Sequence, residues 1–141
     1  MKIVLVFILT YLISIQAYGC RTEPYERLKR SFDSYFDRAD LVITAEVIKF
    51  GELEEYSQVV LVKPLELWKG DELDVYPIMN RLNTSCSREF KENGGPYIIF
   101  ASWLADLNMY QIDMLGSFVP VENDKEYWVQ KNLNRITKGS N

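Results

Sequence analysis

The sequence predicts a mainly β domain whose five short strands form a closed barrel, with one helix before the barrel and one after it. Five segments rich in β-branched and aromatic residues are separated by turn-forming residues. An amphipathic segment lies on each side of this strand region. Closing a small sheet into a barrel also removes the edge strands that otherwise aggregate, which favours the closed form.

The amino-terminal helix is predicted over residues 24–38. Apolar residues recur there at steps of three and four positions, which places them on one face: Tyr25, Leu28, Phe32, Tyr35 and Phe36. Thr22 or Glu23 can cap the helix, and Pro24 suits its first turn.

The strands are predicted over residues 41–50, 56–67, 73–79, 96–104 and 109–115. Turns are expected at residues 51–55 and 68–71, and a polar connection that carries Cys86 is expected at residues 80–93. Pro64 indicates a bulge or an edge in the second strand, because proline removes a ladder donor. The number of strands and the size of the domain favour an OB-type barrel.

The carboxy-terminal helix is predicted to begin at residues 123–126, which resemble a capping box, and to end at Gly139. Its apolar side consists of Trp128, Val129, Leu133 and Ile136.

The charge balance argues against a nucleic-acid partner. The chain has 16 basic and 20 acidic residues, and of these only Lys2 falls within the first 19 residues. An acidic domain is a poor binder of phosphate backbones. Four aromatic residues are therefore interpreted as core residues and not as base-stacking platforms: Tyr97, Phe100, Trp103 and Trp128.

The chain contains no histidine, which removes the commonest general base and the commonest zinc ligand. A histidine-dependent hydrolase or a self-contained zinc enzyme is therefore not expected, and any metal would belong to a partner. The protein is predicted to hold no cofactor of its own and not to be an enzyme. Glu52, Glu54 and Glu55 lack the regular spacing of a calcium-binding loop and are interpreted as a solvated turn.

Residues 1–19 are interpreted as a signal peptide, because Lys2 is followed by an almost unbroken apolar run over residues 3–15. A membrane-spanning helix needs about 20 apolar residues, which is more than this run provides. Ala17 and Gly19 occupy the positions that signal peptidase prefers, so cleavage before the next residue is predicted.

The mature protein is thus predicted to be a secreted single domain of residues 20–141 that begins at Cys20. One alternative is cleavage after Ala17. Another treats residues 17–20 as a bacterial lipobox, in which Cys20 is lipidated and holds the protein on a membrane in the cell envelope or periplasm.

The chain has two cysteines, Cys20 and Cys86, and both follow the signal peptide. An even number in an exported chain predicts one disulfide between them. The alternative is a buried free thiol at Cys86 combined with a lipidated Cys20.

Several segments together resemble the netrin-like module, and within it the inhibitory domain of the tissue inhibitors of metalloproteinases. Residues 40–47 (DLVITAEV) are similar to the first strand of the family, and residues 68–70 (WKG) to its strand-ending turn. Residues 96–100 (PYIIF) are similar to its fourth strand, and residues 117–120 (SFVP) to its ending. Cys86, next to Ser85, lies where the family has the cysteine that forms a disulfide with its first residue. The resemblance covers nearly all of the mature chain.

The resemblance implies that Cys20 lies over the catalytic zinc of a target enzyme and chelates it with its α-amine and carbonyl oxygen. Arg21 would point towards the first primed pocket of that enzyme. The inhibitory ridge would consist of Cys20, Arg21, Thr22, Glu23, Thr84, Ser85 and Cys86. Its partner would be a zinc metalloprotease, and the zinc would belong to that protease.

The chain departs from the family pattern at two positions of this ridge. Thr22 stands where the family has a second cysteine, and Arg21 stands where it prefers a small hydroxyl residue. Burying Arg21 in an apolar pocket without a partner is costly, which argues against strong inhibition of the usual matrix enzymes.

The function predicted from sequence is therefore secreted metalloprotease inhibition. The alternative is an exported or lipid-anchored netrin-like binding module without inhibitory activity, which would contact a membrane only through a lipidated Cys20. Asn83 begins a glycosylation acceptor sequence, whose use would place a glycan beside Cys86.

Overall fold

The computed structural model describes residues 24–54, 56–82, 87–112 and 118–121, together with Tyr127 and Lys131. Within these ranges the chain forms one helix and six strands. In chain order they are helix α1 (Pro24–Arg38), β1 (Leu41–Glu54), β2 (Ser57–Lys69), β3 (Tyr76–Arg81), β4 (Tyr97–Leu104), β5 (Met109–Ile112) and β6 (Phe118–Pro120).

Five of the strands close into a barrel. Strand β1 is hydrogen-bonded to β2 on one side and to β4 on the other, and the order runs β1-β2-β3-β5-β4 back to β1. All these neighbours are antiparallel except β3 and β5, which are parallel. The predicted five-stranded OB-type barrel is confirmed.

The sixth strand, β6, was not predicted. It pairs with the first three residues of β4, and the amide of Val121 donates to the carbonyl oxygen of Pro96 at 2.9 Å. A strand of three residues that ends in proline is too short to show an alternating pattern, so only its tertiary partner defines it.

Several strand boundaries differ from the prediction. Strand β2 continues to Lys69, so the turn expected at residues 68–71 is wrong for residues 68 and 69. The turn expected at residues 51–55 is wrong for residues 51–54, because β1 continues to Glu54 through register shifts that let it bend. Strand β3 begins at Tyr76 rather than at residue 73, and continues to Arg81. The bulge predicted near Pro64 is confirmed, because Ala45 pairs with Pro64 whereas Thr44 pairs with Glu66.

The core consists of two layers that share strands β1 and β4. Alternate residues of β4 fill the barrel interior, whereas Ile98 and Phe100 face outwards onto α1. Strand β1 is divided in the same way, with Ile43 inside and Val42 beneath the helix. Burial on both faces explains why these two strands are almost continuously apolar.

Helix α1 covers the outer face of β1 and β4 with the predicted apolar residues Leu28, Phe32 and Tyr35. Phe32 and Phe100 meet edge to face, with ring centroids 5.5 Å apart. Full burial of one such side chain stabilises the fold by about 1.5–3 kcal/mol, so this layer contributes much of the stability.

The predicted core role of the aromatic residues holds for two of the four. Tyr97 lies inside the barrel and Phe100 lies beneath α1. The prediction is wrong for Trp103, which is 42% exposed because it lies near the end of β4, where the inward-facing register passes beyond the part of the strand that pairs with β1. Trp128 lies outside the described residues.

We call the two ends of the barrel the lower end and the upper end. At the lower end β1, β3 and β5 begin and β2 and β4 end; at the upper end the reverse holds. The last turn of α1 is fixed at the lower end, because Nζ of Lys69 donates to the carbonyl oxygens of Phe36 at 2.9 Å and Asp37 at 3.1 Å. From there the helix contacts β4 and β6, so its first turn lies on the side of the upper end.

Of the predicted carboxy-terminal helix, only Tyr127 and Lys131 are described, both with helical backbone, and no helix is delimited there. The hydroxyl of Tyr127 donates to the carbonyl oxygen of Lys29 at 3.3 Å, which links this segment to α1. No helix in the described ranges is long and apolar enough to cross a membrane.

Gly70→Ala tests the junction between β2 and the loop that follows it. Gly70 has a φ of 109°, and an added β-carbon would lie 2.9 Å from the carbonyl oxygen of Asp40. We expect a loss of about 2–3 kcal/mol in the free energy of unfolding, measured by urea denaturation. Gly95→Ala is the control, because Gly95 is exposed and also has a positive φ of 69°. Equal losses in the two variants would contradict the close approach to Asp40.

Candidate functional site

The sequence-predicted inhibitory ridge lies outside the described residues. This applies to all seven of its members, Cys20, Arg21, Thr22, Glu23, Thr84, Ser85 and Cys86, and also to Asn83. The Cys20–Cys86 disulfide therefore stays a prediction. The side chains of Glu52 and Glu54, and the whole of Glu55, also fall outside, and no three His, Cys, Asp or Glu residues in the described part converge on a metal site.

The structure does describe the two segments that adjoin this ridge. Helix α1 begins at Pro24, directly after Glu23, and its first turn lies on the side of the upper end. The connection between β3 and β4 leaves the barrel at the upper end, is described again from Ser87, and returns to the upper end at Tyr97. The flanks of both halves of the ridge thus belong to the same end of the barrel.

Gln58 fixes the β3–β4 connection to the start of β2. Its side-chain Nε2 donates to the carbonyl oxygen of Phe90 at 3.2 Å, and its Oε1 accepts from the Phe90 amide at 2.8 Å. One buried amide thus satisfies both backbone groups of Phe90, as a neighbouring strand would. The connection gains a fixed position without forming a strand.

A second buried amide holds the same connection two residues earlier. Nδ2 of Asn80, near the end of β3, donates to the carbonyl oxygen of Arg88. The amide of Leu82 donates to the carbonyl oxygen of Tyr56 at 2.7 Å, which keeps the start of the connection beside β2. The backbone on both sides of residues 83–86 is therefore anchored to the barrel.

Phe90 closes the upper end of the barrel. It is buried within the interior cluster and meets the ring of Tyr97 edge to face, at 5.1 Å between centroids. The hydroxyl of Tyr97 accepts from the amide of Lys91 at 3.3 Å, and a β-carbon on Gly94 would overlap that hydroxyl. Packing and hydrogen bonds together hold this segment against the barrel.

These anchoring residues were not singled out from the sequence, although a signal for them exists. Gln58 precedes Val60 and Val62 at inward positions of β2, and Asn80 follows Tyr76 and Ile78 at inward positions of β3. A polar amide in an inward register requires a hydrogen-bonding partner. The pattern predicts a tether but not its other end, because Phe90 is 32 residues from Gln58 along the chain.

Comparison with protein-family models and with curated proteins gives no match for this chain. The netrin-like resemblance therefore stays a prediction that rests on the residues quoted for it.

Gln58→Leu tests the tether. The variant keeps the side-chain volume but removes both hydrogen bonds from Gln58 to the buried backbone of Phe90, so we expect a loss of about 2–4 kcal/mol in the free energy of unfolding. Faster hydrogen exchange of the Phe90 amide should accompany it.

The matched control is Gln111→Leu, at a buried position where Oε1 has no hydrogen-bond partner in the described structure. We expect this change to cost less than about 1 kcal/mol or to stabilise the protein. Equal losses in the two variants, measured by urea denaturation, would show that the Phe90 hydrogen bonds contribute little.

Proposed function

We propose that the protein is a secreted inhibitor of zinc metalloproteases that covers the catalytic zinc of its target with the α-amine and carbonyl oxygen of Cys20. The observation that supports this proposal most is the convergence of two flanks. Helix α1, which follows Glu23, begins on the side of the upper end, and the anchored β3–β4 connection, which carries Cys86, leaves the barrel at that end.

The proposed chemistry follows from the coordination of catalytic zinc. Such zinc keeps one position open for water, and a neutral amine is a suitable ligand to replace that water. An α-amine has a pKa of about 8 in model peptides, so it loses its proton at low cost near neutral pH. The adjacent carbonyl oxygen of Cys20 supplies the second donor of the chelate.

The tethers on the β3–β4 connection support a rigid inhibitor. Binding loses less ordering entropy when the contacting segment already has its bound conformation. Gln58 and Asn80 fix the connection on the carboxyl side of Cys86, and α1 fixes the chain shortly after Cys20. In the proposal, the Cys20–Cys86 disulfide joins the two fixed segments into one binding ridge.

The residues beside Cys20 would select the target. Arg21 carries a charge that is costly to bury unless the primed pocket offers an acidic partner. Thr22, Glu23, Thr84 and Ser85 complete the ridge with short polar side chains or a carboxylate. We propose that susceptible proteases are those whose first primed pocket is acidic or open to solvent.

A second candidate is a lipid-anchored binding module. Ala17, Gly19 and Cys20 match part of a lipobox, and lipidation would use the same cysteine that the inhibitor needs free. In that case the amine of Cys20 would be acylated or covered by adjacent lipid and could not bind zinc.

One added residue before Cys20 tests the zinc-capping mechanism. We compare protein that begins at Cys20 with protein that carries an extra alanine in front, against a panel of zinc metalloproteases. The added residue converts the amine into an amide, which is a very poor metal ligand. We expect inhibition to weaken by at least about 100-fold. Removing a group that only hydrogen-bonds to a metal ligand already costs about 10–100-fold in metal affinity, and here a ligand itself is lost.

The control carries the extra alanine after Asn141 and should inhibit as strongly as the unmodified protein. Circular dichroism and urea denaturation should be the same for all three proteins, because α1 and the barrel are unchanged. Equal inhibition by the extended and unextended proteins would contradict zinc capping. Absence of inhibition across the panel, with an acylated Cys20 in the exported protein, would favour the binding module.

A further inference from the structure

The lower end of the barrel contains a cavity of about 680 Å³. We call it the lower cavity. It lies where β1, β3 and β5 begin, whereas the β3–β4 connection joins the barrel at the opposite end. Its lining combines two carboxylates with aromatic and apolar side chains, including Asp40, Asp71, Leu73, Trp103, Asn108 and Tyr110. Its volume is within the usual range of about 300–1,000 Å³ for small-molecule sites.

The wall formed by the β2–β3 loop is held in place by buried groups. The hydroxyl of Tyr76, a fully buried residue, donates to the carbonyl oxygen of Asp71 at 2.7 Å and accepts from the amide of Leu73 at 3.0 Å. Gly70 lets the start of this loop approach the backbone of Asp40. The cavity therefore exists before a ligand arrives.

The opposite wall consists of strand ends and two aromatic rings. Oδ2 of Asp40 accepts from the backbone amide of Trp103 at 2.8 Å, which fixes the carboxylate at the end of β4. The rings of Trp103 and Tyr110 meet edge to face, with centroids 4.9 Å apart. Trp103 is nevertheless 42% exposed, although tryptophan side chains are usually highly buried.

The electrostatic character of the lower cavity is negative. Among the described residues that line it there is no lysine or arginine. Lys69, the residue before Gly70, directs its ammonium to the carbonyl oxygens at the end of α1, and Nε of Arg38 donates to the carbonyl oxygen of Ser34. These two nearby cations are therefore engaged elsewhere.

The pKa of the Tyr110 hydroxyl also reflects the negative charge of the cavity. Burial raises it above the ordinary value of 10.0, and the negative charge of Asp71, the hydroxyl of Tyr76 and the charge of Asp40 raise it further. The charges of both carboxylates thus act on one point of the cavity wall.

We propose that the lower cavity binds a guanidinium group, carried by a small arginine-like molecule or by an arginine side chain of another protein. A planar guanidinium can stack on aromatic rings and pair with carboxylates at the same time, and it sheds water more readily than an ammonium group does. A metal ion fits less well, because the described part of the lining supplies two carboxylates, fewer than such an ion usually needs. This site is separate from the proposed zinc-capping ridge and does not depend on it.

Calorimetric titration of the exported protein with N-acetylarginine amide tests the proposal. We expect saturable binding with a dissociation constant of about 1 mM or tighter. N-acetylcitrulline amide, which has nearly the same shape but no charge, should bind at least about tenfold more weakly. A blocked glycine-rich pentapeptide with a central arginine identifies the source: tighter binding than the amide indicates a protein partner, and equal binding indicates a small molecule.

Asp71→Asn should weaken the binding of N-acetylarginine amide about tenfold, because it removes one carboxylate and leaves the backbone contact with Tyr76. Asp74→Asn is the matched control, since it changes the same loop and the same net charge at an exposed residue outside the lining. We expect less than about a twofold effect from it. Equal binding of the citrulline analogue, equal effects of the two substitutions, or no saturable binding would overturn the proposal.

Discussion

Strand β1 determines the architecture because it forms hydrogen bonds with two neighbours at once. Its first five residues pair with β4, while most of its length pairs with β2. Register shifts along the β1–β2 ladder allow the bend that this double pairing requires. Closure then creates two faces on the same strands, so that Ile43 fills the barrel while Val42 supports α1. The interior, the helix layer and the separation of two ends all depend on this closure.

The two ends of the barrel are built in different ways. At the upper end Phe90 closes the barrel, and buried amides hold the connection that leads to it. At the lower end the β2–β3 loop stands away from Trp103 and Tyr110 and leaves an acidic, aromatic cavity. The proposed protease contact belongs to the first end and the proposed guanidinium site to the second. The two proposals can therefore fail or succeed independently.

The sequence predicted the parts of the fold that depend on local pattern. Helix α1 followed from its apolar spacing, and β1, β2 and β4 from their β-branched runs. The start of β3 differs from the prediction because two hydrogen bonds of the buried Tyr76 hydroxyl hold residues 71–73 as a loop, which an apolar strand pattern does not reveal. The exposure of Trp103 depends on where the pairing of β4 with β1 ends, and the partner of Gln58 lies 32 residues away along the chain. The lower cavity combines residues from several elements, so no single segment indicates it, and the ridge residues lie outside the described part.

The proposed inhibitor depends on one covalent fact, that the first residue of the mature protein is tied to the anchored β3–β4 connection. Peptide mapping of the exported protein by mass spectrometry, without reduction, tests it most directly. The predicted result is a peptide whose first residue is Cys20 with a free α-amine, joined through a disulfide to the peptide that contains Cys86. Two free thiols, a different first residue or an acylated Cys20 would contradict the proposal.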